Sequence, residues 1–175
     1  YLRVDSIPLG GPHAAIAGWA KLESVDGRGA DLANLGEHLV LRLDETTDGR
    51  GTTALGYSGP GYDMAASQRY LASTGWHHYA AVHDGANGQI TLYLDGVRRA
   101  TASATTTRTF RELVKFATFG ASTHGGSDYR LRGWIDDVRI YNRPLAAAEL
   151  RTLYFGKFQP GLRIVEWREV DPSSP

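Results

Sequence analysis

Two adjacent acids sit inside "GWIDDVRIY", Gly133 to Tyr141, a run that otherwise has the β-branched and aromatic bulk of a buried strand. Asp136 shares parity with Val138 and Ile140, whereas Ile135 has the opposite parity. A regular strand cannot send both apolar sets to one core. A β-bulge at the aspartates resolves the conflict and turns one carboxylate inward near the rim of a sheet. A carboxylate buried there needs N–H donors, a cation or a metal. Calcium suits Asp136, because carboxylate and carbonyl oxygens fit a hard ion; Asp5, in the loop "VDSIP", is a second donor if that loop packs against the strand. The plainer alternative is an Asp136 that only accepts hydrogen bonds from a neighbouring loop.

Other chemistry finds less support. His77 and His78 are adjacent, so on a strand they face apart and cannot ligate one metal together. No carboxylate is spaced to complete a zinc site with His77 and His83, and with no cysteine in the chain thiolate zinc and thiol nucleophiles are excluded. Glycosidases need two carboxylates flanking the scissile bond. The alternating E-x-D-x-x-E pattern of retaining glucanases is absent, "EWRE" and "EVD" are wrongly spaced, and no G-x-S-x-G, phosphate loop or H-E-x-x-H motif occurs. Ser and His without geometry are only composition. The reading is of a chain that is not an enzyme. Aromatic side chains are the remaining carriers, since Trp and Tyr faces pack on the C–H surfaces of sugars. Tyr57 and Tyr62 flank "SGPG", a loop suited to a rim.

The elements that must position these residues have a period of two. "HLVLRL" and "QITLYLDG" alternate, and "DGRG", "SGPGY", "DGANG" and "LDG" supply turns between such runs. "YAAVHDGANGQITLYLDG" reads as a β-hairpin. The default is an all-β, two-sheet antiparallel jelly-roll sandwich. One short C-terminal helix is expected in "NRPLAAAELRTLY", with Asn142 as N-cap, Pro144 in the first turn and Gly156 as the stop. Beyond it "GLRIVEWREV" alternates again before the linker-like "DPSSP". At 175 residues the chain suits one domain, and a net charge of zero gives no electrostatic case for nucleic acid or an anionic membrane. The basic residues are scattered, and the Gly-rich acidic turns read simply as turns. No apolar run reaches transmembrane length.

Taken in order, "STGWHHYAAVHDG", "GQITLYLDGV", "FATFGAS" and "LRGWIDDVRIYNRPLAAAELRTLY" resemble the laminin-G-like, concanavalin A-like jelly-roll domains of bacterial extracellular proteins. Upstream, "YLRVDSIPL" and "AIAGWAKLES" resemble that family's early strands. The resemblance covers residues 1–156 and leaves 157–175 as an extra strand, Leu162 to Val170, and a tail. The family usually opens with one more strand; either the extra segment covers the edge that this leaves, or residues upstream of Tyr1 are missing and the tail leads to another domain.

The resemblance implies a structural calcium ion and service as a binding module. It places Trp19 and Trp76 in the core and leaves Trp134 exposed as a ligand contact beside Tyr57 and Tyr62. The expectation is a non-catalytic carbohydrate-binding or adhesion module of a larger secreted or surface protein, extracellular, with a glycan as partner. The alternative is a structural, assembly or protein-interaction module, decorating a virion or surface layer and meeting other domains or copies of itself, without a sugar site.

Overall fold

A computed structural model describes residues 1–25, 27–36, 38–45, 51–57, 62–67, 73–104, 115–122 and 129–156; within it, the side chains of 53–57 and 62–67 are not described. Among the described residues eleven strands run β1 (Leu2–Asp5), β2 (His13–Leu22), β3 (Arg28–Leu35), β4 (Leu39–Glu45), β5 (Gly51–Tyr57), β6 (Tyr62–Ser67), β7 (His77–Asp84), β8 (Gln89–Leu94), β9 (Val97–Ser103), β10 (Phe116–Phe119) and β11 (Gly133–Tyr141). They form two sheets, β1-β10-β3-β4-β5-β6 and β11-β2-β7-β8-β9, in which every pairing is antiparallel. The expected two-sheet sandwich is what the chain forms.

Alternation explains the main core. Leu39, Leu41 and Leu43 of β4 and Ile90, Leu92 and Leu94 of β8 point between the sheets, where they pack with Ile16, Leu32, Leu35 and Tyr79. Each fully buried side chain of this size contributes roughly 1.5–3 kcal/mol. The β7–β8 hairpin forms as expected, and the Asp84 carboxylate accepts from the Asn87 backbone N–H at 3.2 Å and from its side-chain amide at 2.6 Å. β2 follows a different rule: nearly every residue of it is buried, because its second face is covered too.

The cover is a helix, α1 (Ala147–Phe155). Leu145 and Leu150 pack on Ala15, Ala17, Ala80, Val82 and Tyr93, on the outer face of the five-stranded sheet. Tyr154 stacks on Trp19 at 5.7 Å. The helix begins later than its sequence suggests. Its N-cap is Ala146, and the Glu149 carboxylate accepts the Ala146 N–H at 2.8 Å while Arg143 donates to it at 2.6 Å. That is half of a capping box, made without the side-chain cap expected from Asn142. The segment 157–175, including the strand expected at Leu162 to Val170, lies outside the described residues.

Candidate functional site

The bulge at the two acids is present. Pairing of β11 with β2 runs Ile135↔Ala20 and Asp136↔Trp19, then resumes at Arg139↔Ala17. Asp137 and Val138 together stand opposite the single Gly18, and this one extra residue lets Ile135, Val138 and Ile140 all meet the main core. Asp137 adopts φ 47°, and its carboxylate accepts from Arg139 Nε and Nη2, each at 2.9 Å. Asp136 is buried at 8 % exposure, and its Oδ1 accepts the Asp137 N–H at 2.8 Å. It shares its face with Trp19, its register partner, and so lies on the helix-covered side of the sheet, not between the sheets.

Asp5 does not join it. Asp5 is the last residue of β1 in the other sheet, not part of a loop, and its exposed carboxylate is paired with Arg3 Nε at 3.0 Å. Among the described residues no three His, Cys, Asp or Glu side chains converge to hold a metal. A calcium site built from Asp5 and Asp136 therefore does not fit these residues.

Trp134 is exposed, at 52 %. It lies opposite Lys21, whose Nζ is 5.2 Å from the ring centroid. Tyr57 and Tyr62 oppose each other in the β5–β6 register, next to Gly56↔Leu39, at the end where β3 turns into β4. Lys21 and Trp134 lie at the other end, where β2 turns into β3. The fold thus separates the tyrosines from the tryptophan by the length of the sandwich.

Beside the tryptophan end the strand ends enclose a pocket of about 610 Å³. Arg28 and Gly29 of β3, Asp44 of β4, and Tyr129, Arg130 and Arg132 ahead of β11 line it. Tyr129 braces this wall. Its ring lies over the Arg42 guanidinium at 3.3 Å, and Arg42 donates to the fully buried Asp31 at 2.6 Å and contacts Glu45 at 3.5 Å. Burial alone would lower the Arg42 pKa; the hydrogen bond and charge of Asp31, with Glu45, outweigh it and hold the group above its ordinary value. Gly29, at φ 85°, has no room for a side chain, since a Cβ would meet Tyr129 Cδ1 at 2.9 Å. Asp44 and Tyr129 themselves take φ 53° and 57°, and the Asp44 carboxylate accepts the Gly27 N–H at 2.9 Å.

None of these pocket residues is legible as a site in the sequence. Arg28 stands in a turn, and the Arg130–Arg132 alternation in "YRLRG" was the only local signal.

Histidines serve the framework. His78 faces Trp19 edge-on at 5.5 Å, and His83 Nδ1 lies 3.0 Å from the Pro12 carbonyl oxygen. His77 sits between two partners: Ser73 Oγ is 2.8 Å from Nε2, and Asp95 Oδ2 is 2.8 Å from Nδ1. That is the order of a hydrolase relay. Ser73 Oγ, however, also accepts the Gly75 N–H at 3.1 Å, and Asp95 Oδ1 accepts the His78 N–H at 3.0 Å. None of the three is among the described residues that line the rim pocket. The bonds tie the approach to β7 onto the β8–β9 turn.

Known proteins share this architecture. The fold matches domain 4 of an extracellular GH43 arabinanase from Geobacillus stearothermophilus, in complex with arabinotriose, with TM-score 0.67 and 19 % identity over 87 % of this chain and 71 % of that one. It matches a CBM40 of Ruminococcus gnavus IT-sialidase, bound to α2,3-sialyllactose, with TM-score 0.67 and 17 % identity over 82 % and 83 %. A heptameric SAP-like pentraxin from Limulus polyphemus matches with TM-score 0.62 and 12 % identity over 92 % and 78 %. At such identities the likeness is one of fold. No curated protein sequence matches the chain. A family model does, over residues 1–151, and the chain accordingly belongs to the laminin G-like domains of the concanavalin A-like lectin/glucanase superfamily.

Proposed function

We propose that this domain is a non-catalytic carbohydrate-binding module, working outside the cell or at its surface as part of a larger protein. The observation that carries the reading is the half-exposed Trp134 on β11, two residues along the chain from Arg132, which itself lines the rim pocket. An aromatic face beside a pocket with polar walls is the arrangement that packs on a sugar ring while hydrogen-bonding its hydroxyls. The arabinanase domain and the sialidase CBM40 are carbohydrate-bound examples of the same fold, which supports the reading by analogy of architecture. The described residues favour a binding role over catalysis, since the pocket carries one carboxylate, Asp44, where glycoside hydrolysis ordinarily needs two.

Affinity gel electrophoresis over a panel of neutral and acidic polysaccharides tests it. Retardation on at least one polymer is expected, weakened at least about tenfold by Trp134→Ala, roughly 1.4 kcal/mol. A folded protein that no polymer retards would reject the sugar site in favour of an assembly module. Such a module would self-associate or capture a protein partner.

A further inference from the structure

We infer that Asn87 is a site of spontaneous deamidation, at which the turn between β7 and β8 converts to an aspartyl or isoaspartyl form. Of the three asparagines in the chain, Asn87 is the one followed by glycine, in "DGANGQ"; Asn34 precedes Leu35 and Asn142 precedes Arg143. Asn87 is exposed on the hairpin turn, whereas Asn34 is wholly buried. Gly88 takes φ 59°, a conformation that side chains rarely adopt, and it has no Cβ to shield its nitrogen from the neighbouring amide.

The chemistry needs only water. The Gly88 nitrogen gives up its proton to solvent and bonds to Asn87 Cγ. The Cγ–Nδ2 bond breaks, and the amide nitrogen takes up a proton and leaves as ammonia. The product is a five-membered succinimide, formed by two groups that adjacency already holds together. Water then adds to either ring carbonyl and breaks that carbon's bond to the Gly88 nitrogen. Opening at Cγ leaves aspartate. Opening at the backbone carbon leaves isoaspartate, with the chain rerouted through Cγ and one methylene longer.

The fold sets the pace and the consequence. Asn87 Nδ2 donates to Asp84 Oδ2 at 2.6 Å, and the Asn87 N–H donates to Asp84 Oδ1 at 3.2 Å. Ring closure carries Nδ2 off this partner, so the clamp slows the step by about tenfold, the weight of a hydrogen bond to a charged group. Conversion removes the donor and sets a second carboxylate against Asp84. Burial alone would raise the Asp84 pKa; the Asn87 hydrogen bonds, with the charge of His13, outweigh it and hold the group below its ordinary value. The turn is fastened on several sides. Asp84 lies 3.3 Å from His13 Nδ1, a Cβ on Gly85 would strike the Pro12 carbonyl, and the Gly88 carbonyl accepts the Ala104 N–H at 2.8 Å. The change should therefore loosen the start of β2 and the end of β9 with the hairpin. His13 and Asp84 pair at the end of β2 away from Lys21, so Trp134 is left untouched.

The test incubates the intact chain in heavy-oxygen water at mildly alkaline pH, where the Gly88 N–H ionises more readily, and maps its peptides by mass spectrometry. The same chain unfolded in guanidinium chloride, Asp84→Ala and Asn87→Gln are run beside it, with thermal melts to confirm which samples are folded. The expected result is entry of heavy oxygen at residue 87, with loss of the amide nitrogen, at least about tenfold faster than at Asn34 or Asn142. The folded chain should react about tenfold more slowly than the unfolded one, and Asp84→Ala should recover most of that difference. Asn87→Gln should stay unlabelled, because its longer side chain must close a larger ring. Asn87→Asp, made as the product, should melt below the wild type.

A folded chain that stays unlabelled at residue 87 while the unfolded chain reacts there would overturn the inference, since the turn would then lock the amide completely. Equal conversion at Asn34 or Asn142 would overturn it as general ageing of an opened chain. A rate that folded Asp84→Ala leaves unchanged would overturn the clamp, and an Asn87→Asp variant as stable as the wild type would overturn the consequence.

Discussion

At the scale of single residues, burial has a consequence in the physiological pH range at His78. The side chain is 3 % exposed, and burial, opposed only in part by Asp95 and Asp137, takes its pKa from 6.5 down to about 4. The unfolded chain therefore binds a proton near pH 6.5 that the folded chain refuses until about pH 4. Stability is complete above the upper value and is lost as pH falls between the two, by about 3 kcal/mol in all. Between about pH 7 and about pH 5 the loss is roughly 2 kcal/mol. Urea unfolding at those two pH values measures it, and His78→Phe, which keeps the aromatic contact with Trp19, should shrink the gap by that amount. A gap that His78→Phe leaves intact would assign the acid sensitivity to another group. Asp136 is the other residue with a sharp expectation. Its carboxylate oxygen caps the bulge, so Asp136→Asn should cost less than about 1 kcal/mol and Asp136→Ala about 1–3 kcal/mol. Chelator should leave the melting temperature of the wild type unchanged; a fall of several degrees would mean that donors beyond the described residues complete a cation site on Asp136.

At the scale of elements, parity was the legible signal and tertiary partnership the illegible one. The conflict between Ile135 and Val138 announced a bulge, because the side-chain period of a strand is fixed by its backbone. The direction in which Asp136 would point was not legible, because it depends on which face of the sheet the helix covers. The start of α1 was misplaced for a similar reason. Asn142 and Pro144 are good initiators locally, yet the chain spends four more residues seating Leu145 before the Glu149 carboxylate can receive the Ala146 N–H. The Ser73–His77–Asp95 chain of bonds joins elements 18 residues apart between His77 and Asp95, and no spacing rule exposes it. As a latch rather than a nucleophile, it predicts that His77→Leu destabilises the fold by about 1–3 kcal/mol through the partners left unsatisfied. It also predicts no labelling of Ser73 by a fluorophosphonate probe; labelling abolished by His77→Leu in folded protein would show a working nucleophile instead.

At the scale of the molecule, the sandwich does what composition hides. Arginines that are scattered along the chain are brought to one rim by the ends of β3 and β11, while tyrosines that flank a promising loop are carried to the opposite end. The same architecture makes two cores share one wall. Ile16 and Ala20 of β2 enter the space between the sheets, and Ala15 and Ala17 enter the space under α1. This is why "HAAIAGWAKL" lacks the apolar–polar alternation seen in β4 and β8: a strand covered on both faces has no polar side to show. Because β2 and β7 line both spaces, the helix should belong to the cooperative unit rather than fray from it. Leu150, wholly buried beneath α1, tests that coupling. Leu150→Ala should cost about 2–5 kcal/mol, comparable with Leu41→Ala in the main core, with one unfolding transition for each variant. Hydrogen exchange should then show protection falling in β2 and β7 as well as in the helix. If Leu150→Ala loosened only α1 and left global unfolding unchanged, the helix would be an independent cover, and the second core would contribute nothing to holding the rim in place.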